Sequence, residues 1–145
     1  MRRLLVLVAL MALLWYASLN FLPGLGRGAG RLTAKGKVGS ALSIQQGAEA
    51  ARQAVLNALA QVAVAAGGLS NVARIVRLGV YVNSAEGFTA QPQVANGASD
   101  LLVAVFGDAG RHARTAVGAG ELPLDAPVEL ELIVRTNGVP GAECI

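Results

Sequence analysis

The segment SIQQGAEAARQAVLNALAQVAVAAGG, residues 43–68, sets the layout of the chain because it predicts one long amphipathic helix. Ser43 and Gln46 have the spacing of a capping box, in which each side chain bonds the backbone N–H of the other residue. Gly67 and Gly68 end the run. Between these limits, apolar residues at helical spacing are Ile44, Ala48, Ala51, Val55, Leu59 and Val62. A helix of about six turns with one apolar face must pack against a second layer.

The next segment, ARIVRLGVYV at residues 73–82, alternates with the period of a strand. One predicted face is wholly apolar and consists of Val76, Leu78, Val80 and Val82. The other face is mixed and consists of Ile75, Arg77, Gly79 and Tyr81. A strand of this kind covers a core with one face only.

Three more elements complete the predicted domain. Residues 89–106 return to helical spacing, and residues 114–121 and 128–135 read as two strands of a hairpin joined by LPLDAP. The order helix, strand, helix, strand, strand predicts an α+β sandwich with two helices on one face of a small sheet. In the last strand, Glu129, Glu131, Ile133 and Arg135 point away from the helices. This mixed second face predicts a homo-oligomer.

Composition excludes several classes of protein. The length of 145 residues suits one domain, and 14% charged with 54% apolar residues is far from a disordered composition. The net charge of +3 is small and aromatics are only 4%, which disfavours nucleic-acid binding. Cys144 is the single cysteine, so an intrachain disulfide is excluded. His112 is the single histidine, so histidine-pair metal sites are excluded and one general base remains conceivable. We interpret His112 as a solvated loop residue.

The N-terminal residues allow three interpretations. Residues 1–23, MRRLLVLVALMALLWYASLNFLP, have the basic, apolar and small-residue parts of a signal peptide. Residues 4–22 also suit a marginal membrane anchor, and LLWYAS at 13–18 suits a first buried strand. The glycine-rich segment 24–39 predicts a flexible connector, because its spacing fits neither phosphate-binding glycine motif.

Residues 114–134, RTAVGAGELPLDAPVELELIV, hold one arginine followed by a Glu-x-Glu pair in otherwise apolar sequence. A guanidinium binds a carboxylate bidentately, and a glutamate can orient or deprotonate water within about 3 Å. Arg114 and Glu129 are therefore candidate site residues. The alternative is that they pair with each other across adjacent strands.

Four blocks of the sequence, in order, resemble the YjgF/RidA family of reactive-intermediate deaminases. The blocks are GKVGSALSIQQGAEAARQAVLNALAQV (36–62), VRLGVYVNS (76–84), FTAQPQVANGASDLLVAVFG (88–107) and RHARTAVGAGELPLDAPVELELIV (111–134). The phrases VANGASDLL and GRHAR are similar to one branch of that family, whose activity is unsettled. The resemblance covers about Lys37 to Arg135.

The resemblance implies a homotrimer of chorismate-mutase-like subunits, each a mixed sheet with two helices on one face, with sites between neighbours. Arg114 in RTAV matches the arginine that holds the substrate carboxylate, and Ala116 stands where many members have cysteine. Glu129 in ELEL matches the glutamate near the attacking water. The implied activity is hydrolysis of imines or enamines of amino acids to 2-oxo acids and ammonia, with no metal or organic cofactor.

The sequence departs from the family pattern near its start. A strand ending in a Ser-Gly-Gln-like turn is usual there, and its nearest match is ASLNFLP, with Ser18 at the serine. We therefore divide the chain into an atypical segment 1–30, a YjgF/RidA-like domain 31–136 and a tail 137–145. The first segment is either a replaced N-terminus or a translation of an altered reading frame. A cytoplasmic location is implied, or an exported or anchored one if residues 1–22 act as signal or anchor.

Two other functions remain open for this sequence. A non-catalytic trimer could use Arg114 to bind a small carboxylate ligand without turnover. RNA cleavage is proposed for some relatives, but the folded part lacks a basic stripe with interleaved aromatics.

Overall fold

The computed structural model describes residues 4–7, by their backbone alone, and residues 32–137. Its elements are β1 (Leu4–Leu7), α1 (Ile44–Ala66), β2 (Val72–Asn83), α2 (Gln91–Phe106), β3 (Ala113–Ala119) and β4 (Val128–Thr136). The sheet has the order β1-β4-β2-β3, in which β3 runs parallel to β2 and the other neighbours are antiparallel. Both helices pack on one face of this mixed sheet, which confirms the predicted α+β architecture.

Helix α1 begins and ends where the sequence predicts. Ser43 Oγ accepts a hydrogen bond from the backbone N–H of Gln46 (3.2 Å), and Gln46 Oε1 accepts one from the Ser43 N–H (2.9 Å). This capping box satisfies two N–H groups that lack partners within the helix. The helix stops at Gly67, which adopts the left-handed conformation that favours glycine. Its buried face includes Ala51, Val55, Leu59 and Val62, whereas the predicted face residue Ile44 is exposed in the first turn.

Strand β2 departs from the predicted alternation at Val76. Ile75 lies opposite Val134 of β4 and Arg77 lies opposite Ile133, so Val76 is an extra residue that forms a β-bulge. The bulge reverses the expected faces of two residues. Ile75 is fully buried under the helices, and Val76 is 37% exposed on the other side. The prediction that Val76 belongs to the buried face was therefore wrong. Strict alternation of faces assumes that no residue is inserted, and the bulge inserts one.

Strands β3 and β4 do not form the predicted hairpin, because β2 lies between them. The segment from β2 through α2 to β3 is a parallel crossover unit, and the chain then passes β2 to reach β4 on its far side. A parallel pair needs a connection of a dozen or more residues, and α2 supplies it. Strand β3 is consequently an edge strand of the described sheet.

A polar cluster ties the β3–β4 connection to the end of β2. Lys37 Nζ donates to Asn83 Oδ1 (3.0 Å) and to the Gly120 carbonyl, and it pairs with Glu121 Oε1 (3.1 Å). The buried Asn83 amide in turn donates to Asp125 Oδ1 (3.0 Å). Burial of an amide costs free energy unless its hydrogen bonds are satisfied, so Asn83 makes this connection specific.

The core lies between the helices and one face of the sheet. Fully buried side chains there include Leu78, Val80, Leu102, Leu130 and Leu132. The inward faces predicted for β4 are confirmed, since Val128, Leu130, Leu132 and Val134 are buried. The opposite sheet face carries Arg77, Tyr81, Glu129 and Glu131, and it has no covering layer among the described residues. The homo-oligomer inferred from this mixed face stays a prediction.

The N-terminal predictions fall mostly outside the described residues. Leu4–Leu7 pairs with β4 as an antiparallel strand, which lies within the run interpreted as a signal or anchor. The predicted strand at 13–18, Ser18 and the tail after residue 137 lie outside the described residues. Across the part of the chain that the structure describes, no helix has the length and hydropathy needed to cross a membrane.

Candidate functional site

Arg114 lies on the edge strand β3 beside helix α2, and we call the surface formed by Arg114, Asn96, Ser99 and His112 the groove. Arg114 pairs in register with Leu78, whose side chain faces the helices, so the Arg114 side chain leaves the sheet on the helix side. Its Nη1 donates to Asn96 Oδ1 (2.8 Å) and to Ser99 Oγ (3.2 Å), both on α2. These neutral acceptors fix the guanidinium without neutralising its charge. The group remains exposed, and its other N–H donors are suited to an anionic ligand.

His112 lies beside this arginine and belongs to the same cluster. Its Nδ1 donates to the Gly110 carbonyl (2.6 Å), since a carbonyl oxygen can only accept. In the neutral ring Nε2 is therefore the acceptor, and Ser99 Oγ lies 3.1 Å from it as the donor. The sequence interpretation of His112 as a loop residue is correct, but its predicted solvation is wrong. The ring is half-buried and both nitrogens are hydrogen-bonded.

Gly110 determines how closely this segment approaches α2. A Cβ atom at Gly110 would lie 2.3 Å from the Leu102 carbonyl oxygen and 2.9 Å from Val103 Cα. Backbone atoms cannot rotate away from such a contact, so only glycine allows the 3-10 turn at Gly107–Gly110 to rest on the last turns of α2. The turn thereby places His112 within hydrogen-bond distance of Ser99.

Glu129 lies well away from Arg114 within one protomer. Arg114 is opposite Leu78 of β2 and Glu129 is opposite Tyr81, on the other side of that strand. Two strand spacings and three residues separate their Cα atoms by roughly 14 Å. The odd offset also puts the two side chains on opposite faces of the sheet. Glu129 is half-buried, and desolvation raises its pKa above the ordinary value of a glutamate.

Ala116 and Glu131 lie on opposite faces of the sheet. Ala116 shares the helix-side face of β3 with Arg114 and packs partly buried against the core. Glu131 shares the open face with Glu129 and pairs with Arg77 Nη2 at 3.4 Å. The alternative that Arg114 and Glu129 pair across adjacent strands is wrong, because β2 separates their strands.

Three members of the groove were not identified as site residues from the sequence, namely Asn96, Ser99 and His112. Their signal was present in the phrases VANGASDLL and GRHAR. Asn96 and Ser99 are three residues apart on a helix, which puts them on one face. His112 and Arg114 are two residues apart and extend toward that face from the start of β3.

The protein is a two-layer α+β fold. Its edge strand β3 carries an exposed arginine, Arg114, which is hydrogen-bonded to helix α2. The profile of the family described as "YjgF/chorismate_mutase-like, putative endoribonuclease" matches residues 20–134. The chain therefore belongs to the YjgF/chorismate-mutase-like family.

Known relatives agree with this assignment. Protein TCP17 of Trypanosoma cruzi is 48% identical over 103 residues, which are 70% of this chain and 64% of that protein. The chain thus spans less than two thirds of that relative. The crystal structure of Atu1372 from Agrobacterium tumefaciens, of unknown function, has a TM-score of 0.73 and 40% identity over 75% of this chain and 70% of its own. A "putative endoribonuclease" from Shewanella oneidensis has a TM-score of 0.70 and 36% identity over 72% and 70%.

Proposed function

We propose that this protein is a deaminase that hydrolyses imines or enamines of amino acids to 2-oxo acids and ammonia. The observation that carries the proposal is the state of Arg114. Within residues 32–137 the ion pairs involve Lys37, Arg77 and Arg111, whereas Arg114 is held by the neutral side chains of Asn96 and Ser99. A fixed guanidinium that retains its charge suits a small carboxylate.

The substrate class follows from what such a guanidinium recognises. A 2-imino acid carries its carboxylate one bond from the reactive carbon, so binding of the carboxylate also positions that carbon. Ala116 lies two residues along the same face of β3 and offers a small apolar wall for a short side chain. We include Ser18 as a further wall residue on the family resemblance alone.

Glu129 requires a second copy of the chain if it is to act at this groove. At roughly 14 Å between Cα atoms, and on the opposite sheet face, it cannot reach a water beside Arg114 of its own protomer. The proposed assembly is a homotrimer in which the open sheet face of one subunit meets the groove of the next. The half-burial of Glu129 raises its pKa, so this carboxylate accepts a proton more readily than an exposed glutamate does.

A non-catalytic trimer that binds a small carboxylate is the second candidate. It is favoured by the same separation of Arg114 and Glu129, because binding needs only the arginine. Both functions predict Arg114-dependent binding, and only the deaminase predicts turnover.

RNA cleavage is less well supported by the charge distribution. Of the twelve basic residues, Arg2, Arg3, Arg27 and Arg31 precede the described domain, which leaves eight in residues 32–137. Of the nine acidic residues only Glu143 lies outside, which also leaves eight. A domain with zero net charge lacks the positive field by which proteins gather a phosphate backbone.

The deciding experiment measures pyruvate release from 2-aminoacrylate generated in situ, with the wild type, Arg114→Ala and the matched control Arg111→Ala. Arg111 is an exposed cation three residues away that pairs with Asp108, so its loss changes net charge equally. A hydrogen bond to a charged group contributes about 1.5–3 kcal/mol, so Arg114→Ala should lower kcat/KM by roughly 10–200-fold. Arg111→Ala should stay near the wild type.

The competing functions give different results in this assay. Binding of pyruvate that depends on Arg114, without acceleration by the folded wild type, would establish the binding module instead of the deaminase. An equal loss of kcat/KM in both arginine variants would show that the activity depends on the net charge and not on the position of Arg114 in the groove.

A further inference from the structure

We propose that Ser99 and His112 form the proton-transfer pair of the Arg114 groove. This inference rests on the proposed imine hydrolysis and names the groups that move its protons. It differs from a role for Glu129, because both groups belong to the same protomer as the arginine and touch its immediate surroundings.

The hydrogen bonds of the cluster set the direction in which the Ser99 proton can move. The Gly110 carbonyl holds the proton on His112 Nδ1, so in the neutral ring Nε2 is the nitrogen that accepts from Ser99 Oγ, at 3.1 Å. Arg114 Nη1 donates to the same Ser99 oxygen at 3.2 Å, which occupies one of its lone pairs. The serine proton therefore points at the histidine, and the second lone pair of Ser99 Oγ is left to accept from a water in the groove.

The position of Ser99 places this pair at the reacting carbon. A substrate carboxylate on the Arg114 guanidinium puts the imine carbon one bond further on, within reach of Ser99 directly or through one water. Ser99 and His112 are each only half-buried, so both side chains are accessible from solvent. Helix α2 and the close contact of Gly110 with Leu102 fix the geometry before a ligand arrives.

The proton movements balance over one turnover. Water adds its oxygen to the protonated imine carbon, and the C=N electron pair moves to nitrogen. One water proton passes to Ser99 Oγ as the serine proton passes to His112 Nε2, which gives a carbinolamine and an imidazolium. The imidazolium is stabilised by the Gly110 carbonyl. The same proton then returns through Ser99 to the amine nitrogen, the C–N bond breaks, and the hydroxyl proton leaves to solvent as the 2-oxo acid forms.

The cluster also explains why a serine and not an alanine occupies position 99 of α2. A serine in a helix interior has lower helix propensity than alanine. Asn96 alone would suffice to hold Arg114 Nη1, at 2.8 Å. The added hydroxyl connects the arginine to the histidine, and this connection is what a proton path requires.

The test compares Ser99→Ala, Ser99→Thr and His112→Ala with the wild type and with Ser40→Ala. Ser40 is an exposed serine in the turn before α1, outside the Arg114 cluster, and serves as the matched control. Each variant is assayed for pyruvate release from in situ 2-aminoacrylate and for pyruvate binding by calorimetry, and its melting temperature establishes folding.

The proposal expects His112→Ala and Ser99→Ala to lose roughly 10²–10⁴-fold in kcat, the usual contribution of general acid–base catalysis, with the pyruvate Kd within about threefold of wild type. Added imidazole should restore part of the rate of His112→Ala, and Ser99→Thr should retain most of the rate. A purely structural pair would not respond in these two ways.

Three results would overturn the pair. If His112→Ala released pyruvate at the wild-type rate while Arg114→Ala was inactive, the proton-transfer pair would be refuted and the proposed deaminase activity would be retained. Equal losses of binding and turnover in folded His112→Ala, without rescue by imidazole, would make His112 a support for Arg114 only. No acceleration by the wild type would remove the proposed function itself, and this inference with it.

Discussion

Gly97→Ala should destabilise the protein, although alanine is the better helix former. Gly97 lies on α2 where it crosses α1, and a Cβ atom there would lie 2.0 Å from the Ala48 carbonyl oxygen and 3.0 Å from Ala48 Cα. Since carbon does not approach backbone oxygen below about 3 Å, the helices must separate by about 1 Å. A gap of that size forfeits a quarter to a half of the dispersion energy of the contacts that it opens.

The expected magnitude follows from two opposing effects. Overpacking against rigid backbone costs about 3 kcal/mol, and replacing glycine within a helix regains about 1 kcal/mol. The net loss is about 2 kcal/mol in the free energy of unfolding, or a melting temperature lower by about 8 °C. Gly47→Ala is the matched control, because its Cβ would meet only the side chains of Val38 and Val94, at 3.1–3.2 Å, and these can adjust.

The assay is thermal and urea unfolding of both variants and the wild type at equal protomer concentration, since oligomerisation would otherwise shift the apparent stability. Gly47→Ala should unfold close to the wild type. If Gly97→Ala matched or exceeded the stability of Gly47→Ala, the close helix crossing would be refuted, and with it the placement of Asn96 and Ser99 over β3.

Two further predictions test local features of the fold. Ser43→Ala should lower the free energy of unfolding by about 1 kcal/mol, because it removes the side chain that caps the Gln46 N–H. The loss is read from the urea midpoint. Ser40→Ala, at an exposed serine, should change the midpoint little, and equal losses in the two variants would contradict the capping box. Glu129→Gln should melt above the wild type at pH 7, because burial raises the pKa of Glu129 and its charged form destabilises the fold. This advantage should shrink as the pH falls and vanish below about pH 4, where Glu129 is protonated in both the folded and unfolded states; a difference independent of pH would contradict it.

The helices and the last strand were predictable because their signals are local. The capping box at Ser43 and the two glycines after Ala66 fix α1 within its own sequence, and the alternation of β4 gives its buried face directly. The bulge at Val76 was not predictable in this way. Its cause is the register between β2 and β4, which depends on residues that are about 60 positions apart in the chain.

The order of the strands was the larger error, and its cause is also non-local. A short connection with prolines and an aspartate between two strands is typical of a hairpin, so residues 114–135 read as adjacent strands. The alternative requires the chain to pass over β2, and the Lys37, Asn83 and Asp125 contacts hold it there. These residues come from three separate segments, so no window of sequence contains the signal.

The same strand order determines which side chains surround Arg114. In the predicted hairpin, the strands of Arg114 and Glu129 would have been direct neighbours. With β2 between them, Arg114 turns to Asn96 and Ser99 and keeps its charge, while Glu129 is left on the open face. Within one protomer, this separation leaves the charge of Arg114 uncompensated by Glu129, which favours the proposed binding of an anionic ligand. The proposed proton transfer within the same protomer falls to Ser99 and His112, because Ser99 is hydrogen-bonded to both Arg114 and His112.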